Sequence, residues 1–407
     1  MRRRLLTLIC VLLPVQAAII NLDAQNAQFS YHISNYQVQA FAQDVHGYLW
    51  IGTARGLNRY NGTSYSLFYA GSDPSLLNSN NVQALCLDSG GRLWTGTECG
   101  IGYYEGGRFH HYANAIYNPV SQILELDEDK ILVMGKDGLI SFRKDDIETP
   151  VDRFYDNGTS WVTGAAVSGT GDVWLPRVSN DSTYLDVLDG SLKRVEQFYL
   201  GQNLPVSNVV EKPVGSIWVA TGRGIRRFDS RSRTPLPTPQ PLASLVNGQD
   251  ILFMLPYRDN NLLLGLAGNG IYSYNDVAGT VMHLIPEQHL TGKKYVCFVD
   301  RDNNIWLSDG ESDIRFYADK RAYTHFSPAE QDSRLDGSIL HLSFDREGFL
   351  WMLANHHICS MDTDTGEIVW TSPDEYEPWA GRRELGNKDA VRRNRQAPER
   401  ADGYHRK

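Results

Sequence analysis

The chain has 407 residues, among them 36 Gly, 21 Tyr and 9 Trp, with charged residues at 21% and a formal net charge of −9. Turn formers and aromatic strand formers in these amounts, without long runs of Ala, Leu, Glu and Lys, set the expectation of an all-β chain. The acidic balance excludes a broad nucleic-acid surface, which needs clustered Lys and Arg against phosphate.

The N-terminal segment "MRRRLLTLICVLLPVQAAIINLDAQ" places three arginines before an apolar run from Leu5 to Ile20, followed by small and polar residues. That is the layout of a secretory signal, assigned to residues 1–24, with cleavage after Ala17 or Ala24, and it predicts a periplasmic or secreted chain. The run, broken by Pro14, is shorter than the ~20 residues that span a bilayer, and no later segment is long enough, so no membrane span is expected. Ile9 precedes Cys10 where a lipoprotein cysteine would want a small residue. Cys86, Cys99, Cys297 and Cys359 are too sparse for a disulfide framework. Cys86 and Cys99 could pair only from neighbouring strands, and buried free thiols are the expectation.

"GYLWIGTARGLNRYNG", Gly47 to Gly62, returns as "GRLWTGTECGIGYY", with Trp94, Gly96, Thr97 and Gly100 in the places of Trp50, Gly52, Thr53 and Gly56. Further anchors follow at Val133, Trp174, Trp218, Leu263, Trp306 and Trp351, at intervals of 39 to 45 residues. A β-rich period of this size with a Gly-Trp signature predicts four-stranded propeller blades. In the second repeat the strands are "VQALCLD", "RLWTGT", "IGYYE" and "GRFHHY". Each Trp should fill the wedge between blades. Gly52 and Gly96 should let backbones close in, while Gly56 and Gly100 supply turn conformations. The Asp of "DVHG", "DSGG", "DRDNN" and "DREG" should bond its own backbone two residues on.

Departures from the pattern come later in the chain. The fourth repeat, "WLPRVSNDSTYLDV", lacks both glycines, and Pro176–Thr183 is expected to be a longer, more polar loop where function could lodge. "SRSRTPLPTPQPL", from Ser230, is a Pro-rich connector that cannot be a central strand. "FSYHISNYQ", Phe29 to Gln37, resembles the fourth strand of a repeat, able to pair with the last blade and close the ring. The expected fold is therefore an all-β propeller over 29–370, seven-bladed plus the start of an eighth repeat, the alternative being one eight-bladed ring closed by Phe29–His32. From Glu377 the Arg-rich "EPWAGRRELGNKDAVRRNRQAPERADGYHRK" loses all periodicity, so 377–407 is expected to be disordered. It is either a basic interaction tail or the product of a frame shift near Trp370–Trp379 that cuts a repeat midway, and the abrupt change in composition favours the second.

The pattern D-x-x-G-x-l-W-x-G-T-x-x-G-L-x-r-y resembles the two-component regulator propeller repeat. The resemblance covers about Phe29 to Asp364 and is most specific in "DVHGYLWIGTARGLNRYNG" and "DSGGRLWTGT". It implies a ligand-sensing, non-enzymatic module of the kind found in periplasmic regions of hybrid histidine kinases of gut Bacteroidetes that control polysaccharide use. Those proteins carry two seven-bladed propellers, a β-sandwich, one membrane helix, then kinase and regulator modules, and act as homodimers. This chain has eight repeats, with no membrane helix, kinase His box or receiver Asp after them, so the resemblance is to the front of such a sensor, and the expectation is a truncated sensor without the family's signalling output.

No catalytic constellation emerges. Asp300, Asp302, Asn304 and Glu311 are spaced like a calcium loop, but Ile305 stands where the sharp turn needs Gly and Trp306 is a blade anchor, so an ordinary turn and no metal are expected. His110–His111 and His356–His357, on strands, would point to opposite faces. G-x-S-x-G, H-E-x-x-H and P-loop patterns are absent from the sequence, and "GTARGLNRYNG" lacks the helix a phosphate cradle requires. No cofactor is expected. Ligand contacts should come from the loops joining strands two and three and from those joining blades, gathered on one face. The candidates are Arg55, Glu98, Arg177, Asn180, Arg223, Asn269, Glu311 and His356, with an oligosaccharide or other small ligand as partner. The competing functions are a propeller scaffold for protein contacts and a propeller carbohydrate-active enzyme.

Overall fold

The structure is a computed structural model that describes residues 33–371, save 112–118, 136–137, 155–159, 162–163, 213–214, 259, 286–289, 291–294, 312–313, 320–338, 346–348, 355–356 and 363–367. The expected signal 1–24, the closing strand Phe29–His32 and the tail 377–407 lie outside the described residues. The chain divides into two compact units, Met1–Tyr323 and Thr324–Lys407.

The first repeat shows how the sequence makes a blade. Val38–Gln43, Leu49–Thr53, Gly56–Tyr60 and Tyr65–Phe68 form an antiparallel sheet in simple sequential order. Asp44 shapes the first turn: its Oδ1 accepts the N–H groups of His46 at 2.9 Å and Tyr48 at 3.0 Å. Its Oδ2 accepts the Trp50 indole Nε1–H at 2.8 Å. The same indole bond joins Trp94 to Asp88 and Trp306 to Asp300. Thr53 shapes the second turn, its Oγ1 donating to Gly56 O at 2.8 Å and accepting from Arg55 N at 3.1 Å. Gly56 sits at φ +138°, where side chains are disfavoured. Asp44, Thr53 and Gly56 thus fix the two turns, and Asp44 the tryptophan as well.

Six more sheets follow in this unit. Blade 2 begins at Val82–Leu87 and ends at Arg108–His111, and blade 3 runs from Gln122–Glu125 to Asp146–Phe154. Blade 4 centres on Val173–Ser179, Ser182–Leu188 and Arg194–Gln202. Blade 5 runs from Val206–Glu211 to Pro235–Leu236, blade 6 from Ile251–Tyr257 to Thr280–Ile285, and blade 7 holds Val296–Val299, Ile305–Ser308 and Ile314–Tyr317. Each Trp packs forward onto the next blade: Trp50 against Val82 and Phe109, Trp94 against Val120 and Ile131, Trp174 against Val209 and Ile217, Trp218 against Leu262 and Leu264. Blade 7 packs forward onto blade 1, with Trp306 and Ile314 against Val38, Phe41 and Ile51, and the Phe41 and Phe298 rings stacked at 6.2 Å. The ring therefore closes at seven, which overturns the eight-bladed alternative.

Close approach explains the strand glycines. A Cβ on Gly52 would stand 2.9 Å from Val82 Cγ1, and one on Gly96 would stand 2.5 Å from Val120 Cγ1. Leu263 replaces Trp as expected, facing blade 7. In blade 3, however, Val133 faces back to Trp94, while Leu132 faces blade 4. The hairpin pairs Gly135 with Gly138 as it pairs Thr53 with Gly56, so Leu132, three residues before the turn, takes the Trp place.

One segment differs from expectation and a second agrees with it. Pro176–Thr183 is not a long loop: the strands run on to the pair Ser179–Ser182, closed by Asn180 and Asp181 at φ 47° and 61°, a two-residue turn matched to hairpin twist. The Pro-rich connector supplies the outermost strand of blade 5, Pro235–Leu236, where a missing N–H costs no ladder bond, and then a helix, Gln240–Val246, that buries Leu242 and Val246. In the second unit the eighth repeat forms a full four-stranded sheet, Ile339–Phe344, Phe349–Ala354, His357–Asp362 and Ile368–Thr371, rather than breaking off midway. Trp351 there bonds Asp345 Oδ2 at 2.9 Å.

Candidate functional site

Antiparallel pairing sorts the loops of the seven-bladed unit into two rims. The turn between strands two and three lies beside the entry to strand one, since Ala54 N–H bonds Gln37 O at 3.0 Å and Glu98 N–H bonds Asn81 O at 3.3 Å. These turns and the blade-to-blade loops share one rim, as the sequence implied. Arg55, Glu98, Asn180, Arg223, Asn269 and Glu311 stand there on six different blades. Arg55 and Arg223 are exposed in equivalent turns. Glu98 accepts from Ser79 Oγ at 2.9 Å and Asn81 Nδ2 at 3.3 Å, and Asn269 Oδ1 accepts from Tyr272 OH at 3.0 Å. Glu311 is exposed, its N–H capped by Asp309. His356 lies outside the described residues.

Arg177 is a different case. It is 6% exposed and donates from Nε to Asp186 Oδ2 at 2.6 Å, with its guanidinium 5.1 Å from the Tyr184 ring. Arg194 and Gln197 donate to the same carboxylate, which is fully buried. Burying Asp186 requires this compensation, so Arg177 is committed to the inside of blade 4 rather than to solvent.

A broad concavity lies on the opposite rim, formed by the turns between strands one and two and between strands three and four. A groove of about 850 Å³ runs over blades 1 to 3, lined by Tyr48, Trp50, Arg59, Arg92, Tyr104 and Glu105 among others. Its floor is built by the two clearest repeats. Arg59, opposite Trp50 in the register, lies 5.0, 5.5 and 5.7 Å from the Tyr48, Trp50 and Phe68 rings. Arg92 lies 4.3 Å from the Tyr103 ring, donates from Nε to Glu105 Oε1 at 3.3 Å and from Nη1 to Lys144 O at 2.6 Å. Lys144 in turn pairs with Glu125. Burial pushes the Glu125 carboxyl up, but hydrogen bonds from Lys144 and Ser89 more than offset this and hold it below the ordinary value. Aromatic faces beside fixed charges suit a ring-bearing polar ligand.

The sequence held signals for this groove that the repeat consensus hides. Arg59 recurs at Arg227, in the same register position opposite Trp218, and that recurrence marks it as more than blade filler.

The metal expectation can be judged from donors. Asp300 Oδ2 accepts from Trp306 Nε1 and Asn304 Nδ2, and Oδ1 from the N–H groups of Asp302 and Asn304. Glu311 is at the other end of the strand, so the two cannot share an ion. His110 stacks on Tyr103, away from His111, which pairs with Gly102. Among the described residues no group of three His, Cys, Asp or Glu is placed to hold a metal, and no helix is long and apolar enough to cross a membrane. Cys86, Cys99, Cys297 and Cys359 are all free, but of the four only Cys359 is buried as expected: Cys86 and Cys297 are partly buried and Cys99 is exposed on its turn.

Residues 32–55 and 76–99 match the family described as Two component regulator propeller. No curated protein matches the sequence. Among solved structures, the chain is similar to the extracellular domain of the proposed hybrid two component system BT4673 from B. thetaiotaomicron, at 18% identity and a TM-score of 0.54 over 83% of this chain. It spans 46% of that domain, about half its length. A second structure of the same domain gives 17% identity and a TM-score of 0.55 over the same shares. It is also similar to YCF48 bound to D1 peptide, at 12% identity and a TM-score of 0.56, covering 77% of this chain and all of that one. At these identities the solved structures establish the propeller fold.

Proposed function

We propose that this chain, which carries two-component regulator propeller repeats, is the extracytoplasmic ligand-sensing propeller of a two-component signal transduction system and takes polysaccharide-derived oligosaccharides. The observation that carries the proposal is the match of residues 32–55 and 76–99 to that family. These same two repeats furnish Asp44, Tyr48, Trp50, Asp88 and Arg92 to the walls of the groove. The groove favours binding over chemistry: Asp44 and Asp88 spend their oxygens on Trp and backbone N–H groups, and Glu105 and Asp145 are paired with Arg92 and Arg143, which leaves the exposed Glu128 where glycoside cleavage uses a pair of carboxyls. A general acid or base needs a carboxyl within reach of substrate and not saturated by donors.

Titration calorimetry of the exported chain against oligosaccharides released from plant and host polysaccharides tests the proposal. Saturable heat with the sugar recovered intact is expected. Release of new reducing ends would replace the sensor with an enzyme, and no binding alongside recovery of a stoichiometric protein partner would replace it with a scaffold.

A further inference from the structure

Two of the seven blades place an arginine opposite the blade tryptophan, and the two arginines have different surroundings. In blade 5 the Arg227 guanidinium lies 4.6 Å from the Trp218 ring, and its Nη2 donates to Asp276 Oδ2 and to Ser216 Oγ, each at 3.1 Å. Asp276 belongs to blade 6, so the cation clasps one blade to the next. Arg59 occupies the same register position in blade 1.

Both of Arg227's polar partners are missing from the matching places around Arg59. Asp276 stands two residues beyond Tyr274, which pairs with the residue before the blade anchor; the same step in blade 2, from Tyr104, leads to Gly106. A Cβ on Gly106 would meet nothing within 4 Å. Ser216, two residues before its tryptophan, is matched by Tyr48, which offers Arg59 a ring face instead of a hydroxyl. Elsewhere the seams are tied: Arg233 to Asp172 between blades 5 and 4, Arg258 to Asp319 between blades 6 and 7, and Arg301 to Gln43 between blades 7 and 1. At the seam of blades 1 and 2 the space that a carboxylate would fill is open groove.

Of the other charged side chains around the groove, all but Glu128 have partners among the described residues. Asp44 and Asp88 hold tryptophan and backbone donors, Glu105 holds Arg92, Asp145 holds Arg143 and Lys144 holds Glu125. Glu128 is exposed on the rim. Arg59 thus presents a half-buried guanidinium fork to the groove, its Cζ set among three aromatic rings. Such a fork matches the paired oxygens of a carboxylate or sulfate.

We propose that the groove over blades 1 to 3 binds ligands through a compact oxyanion, carboxylate or sulfate, seated on Arg59 where blade 6 gives Arg227 its Asp276. The inference rests on the chain being a ligand-binding propeller and specifies which part of the ligand is recognised; an oligosaccharide bound there is an acidic one.

The test follows binding to the exported chain by NMR titration with glucuronate, glucose and inorganic sulfate. Glucuronate and sulfate are expected to saturate with shifts at the groove, glucuronate more tightly because its ring adds contact, and glucose to bind at least tenfold more weakly than glucuronate. Arg59→Met, which keeps an apolar stem over the rings, should weaken both anions at least tenfold, and Arg59→Lys should recover part of the loss. Arg227→Met should leave anion binding unchanged while lowering the thermal midpoint, and circular dichroism shows that each variant is folded. Equal affinity for glucuronate and glucose, or unchanged anion binding in Arg59→Met, overturns the inference. Neutral oligosaccharides binding tightly with no anion preference would do so while leaving the sensor proposal standing.

Discussion

Asp88 shows how much one side chain of the repeat accomplishes. Its Oδ1 accepts the Arg92 N–H at 2.8 Å and its Oδ2 the Trp94 indole at 2.8 Å, inside a residue only 5% exposed. Asp88→Asn presents an amide N–H to one of these donors and should lower stability by about 2 kcal/mol, the cost of a buried donor left facing a donor, as read by urea unfolding. Trp174 and Trp218 mark the contrast, since their indole N–H groups are buried without a partner. Six residues before them stand Ser168 and Lys212 in place of Asp, one too short to span the gap and the other without an acceptor. The turn role of Asp was readable from its recurring place before the first turn, whereas its grip on Trp was not, because nothing in a sequence says which oxygen faces inward. The cysteines carry a second residue-scale prediction. Burial pushes the Cys86 thiol up to about 12 and raises that of Cys297, while Cys99 is exposed. At neutral pH a thiol reagent should label exposed Cys99 fastest and the partly buried Cys86 and Cys297, whose raised pKa keeps them as thiols, at least tenfold more slowly; equal rates for Cys86 and Cys99 would contradict this.

At the scale of strands and turns, the repeat period located the blades while the pleat decided what each residue faces. Val133 and Leu132 illustrate the limit: both are apolar and adjacent, and only the pairing of Gly135 with Gly138 shows that Leu132 points forward. A shift of one residue exchanges the two faces of a strand, and an all-apolar stretch such as "KILVMG" gives no alternation to set the register. The blade 4 hairpin escaped for a related reason. Polar residues at 176–183 look like a loop, yet Asn180 and Asp181 are residues that accept left-handed turns, so the strands continue to them. The strand glycines, by contrast, were legible, because only a missing Cβ explains glycine recurring inside a strand. Gly96→Ala should cost about 1–3 kcal/mol through overlap with Val120, whereas Gly190→Ala, whose Cβ meets nothing within 4 Å, should stay within about 0.5 kcal/mol in the same thermal melt.

For the molecule as a whole, the number of blades in the ring governs which edges are exposed. Eight anchors in the sequence allow a ring of seven or of eight, since each seam uses the same apolar chemistry and a period carries no record of where the circle ends. The deciding contacts join residues some 250 positions apart: Arg301 N–H to Gln43 Oε1 and its Nη1 to Val45 O, Phe298 on Phe41, and Tyr60 edge-on to Trp306 at 6.2 Å. The candidate site was hidden for a different reason: the groove owes its opening to what Arg59 and Arg227 each meet on the following blade, which only the packing of blade on blade displays. Closure at seven has a direct consequence. Ending the chain after Tyr323 removes the second compact unit and leaves every seam of the ring intact, so cooperative thermal unfolding should persist with its midpoint little changed. Trp306→Ala in the full chain should instead cost about 3–5 kcal/mol, since it empties the closing seam and lets the first and last blades part. In an eight-bladed ring the outcomes would reverse for the deletion: the shortened chain would bare the apolar faces of two blades and aggregate on heating, with the loss of monomer visible by light scattering.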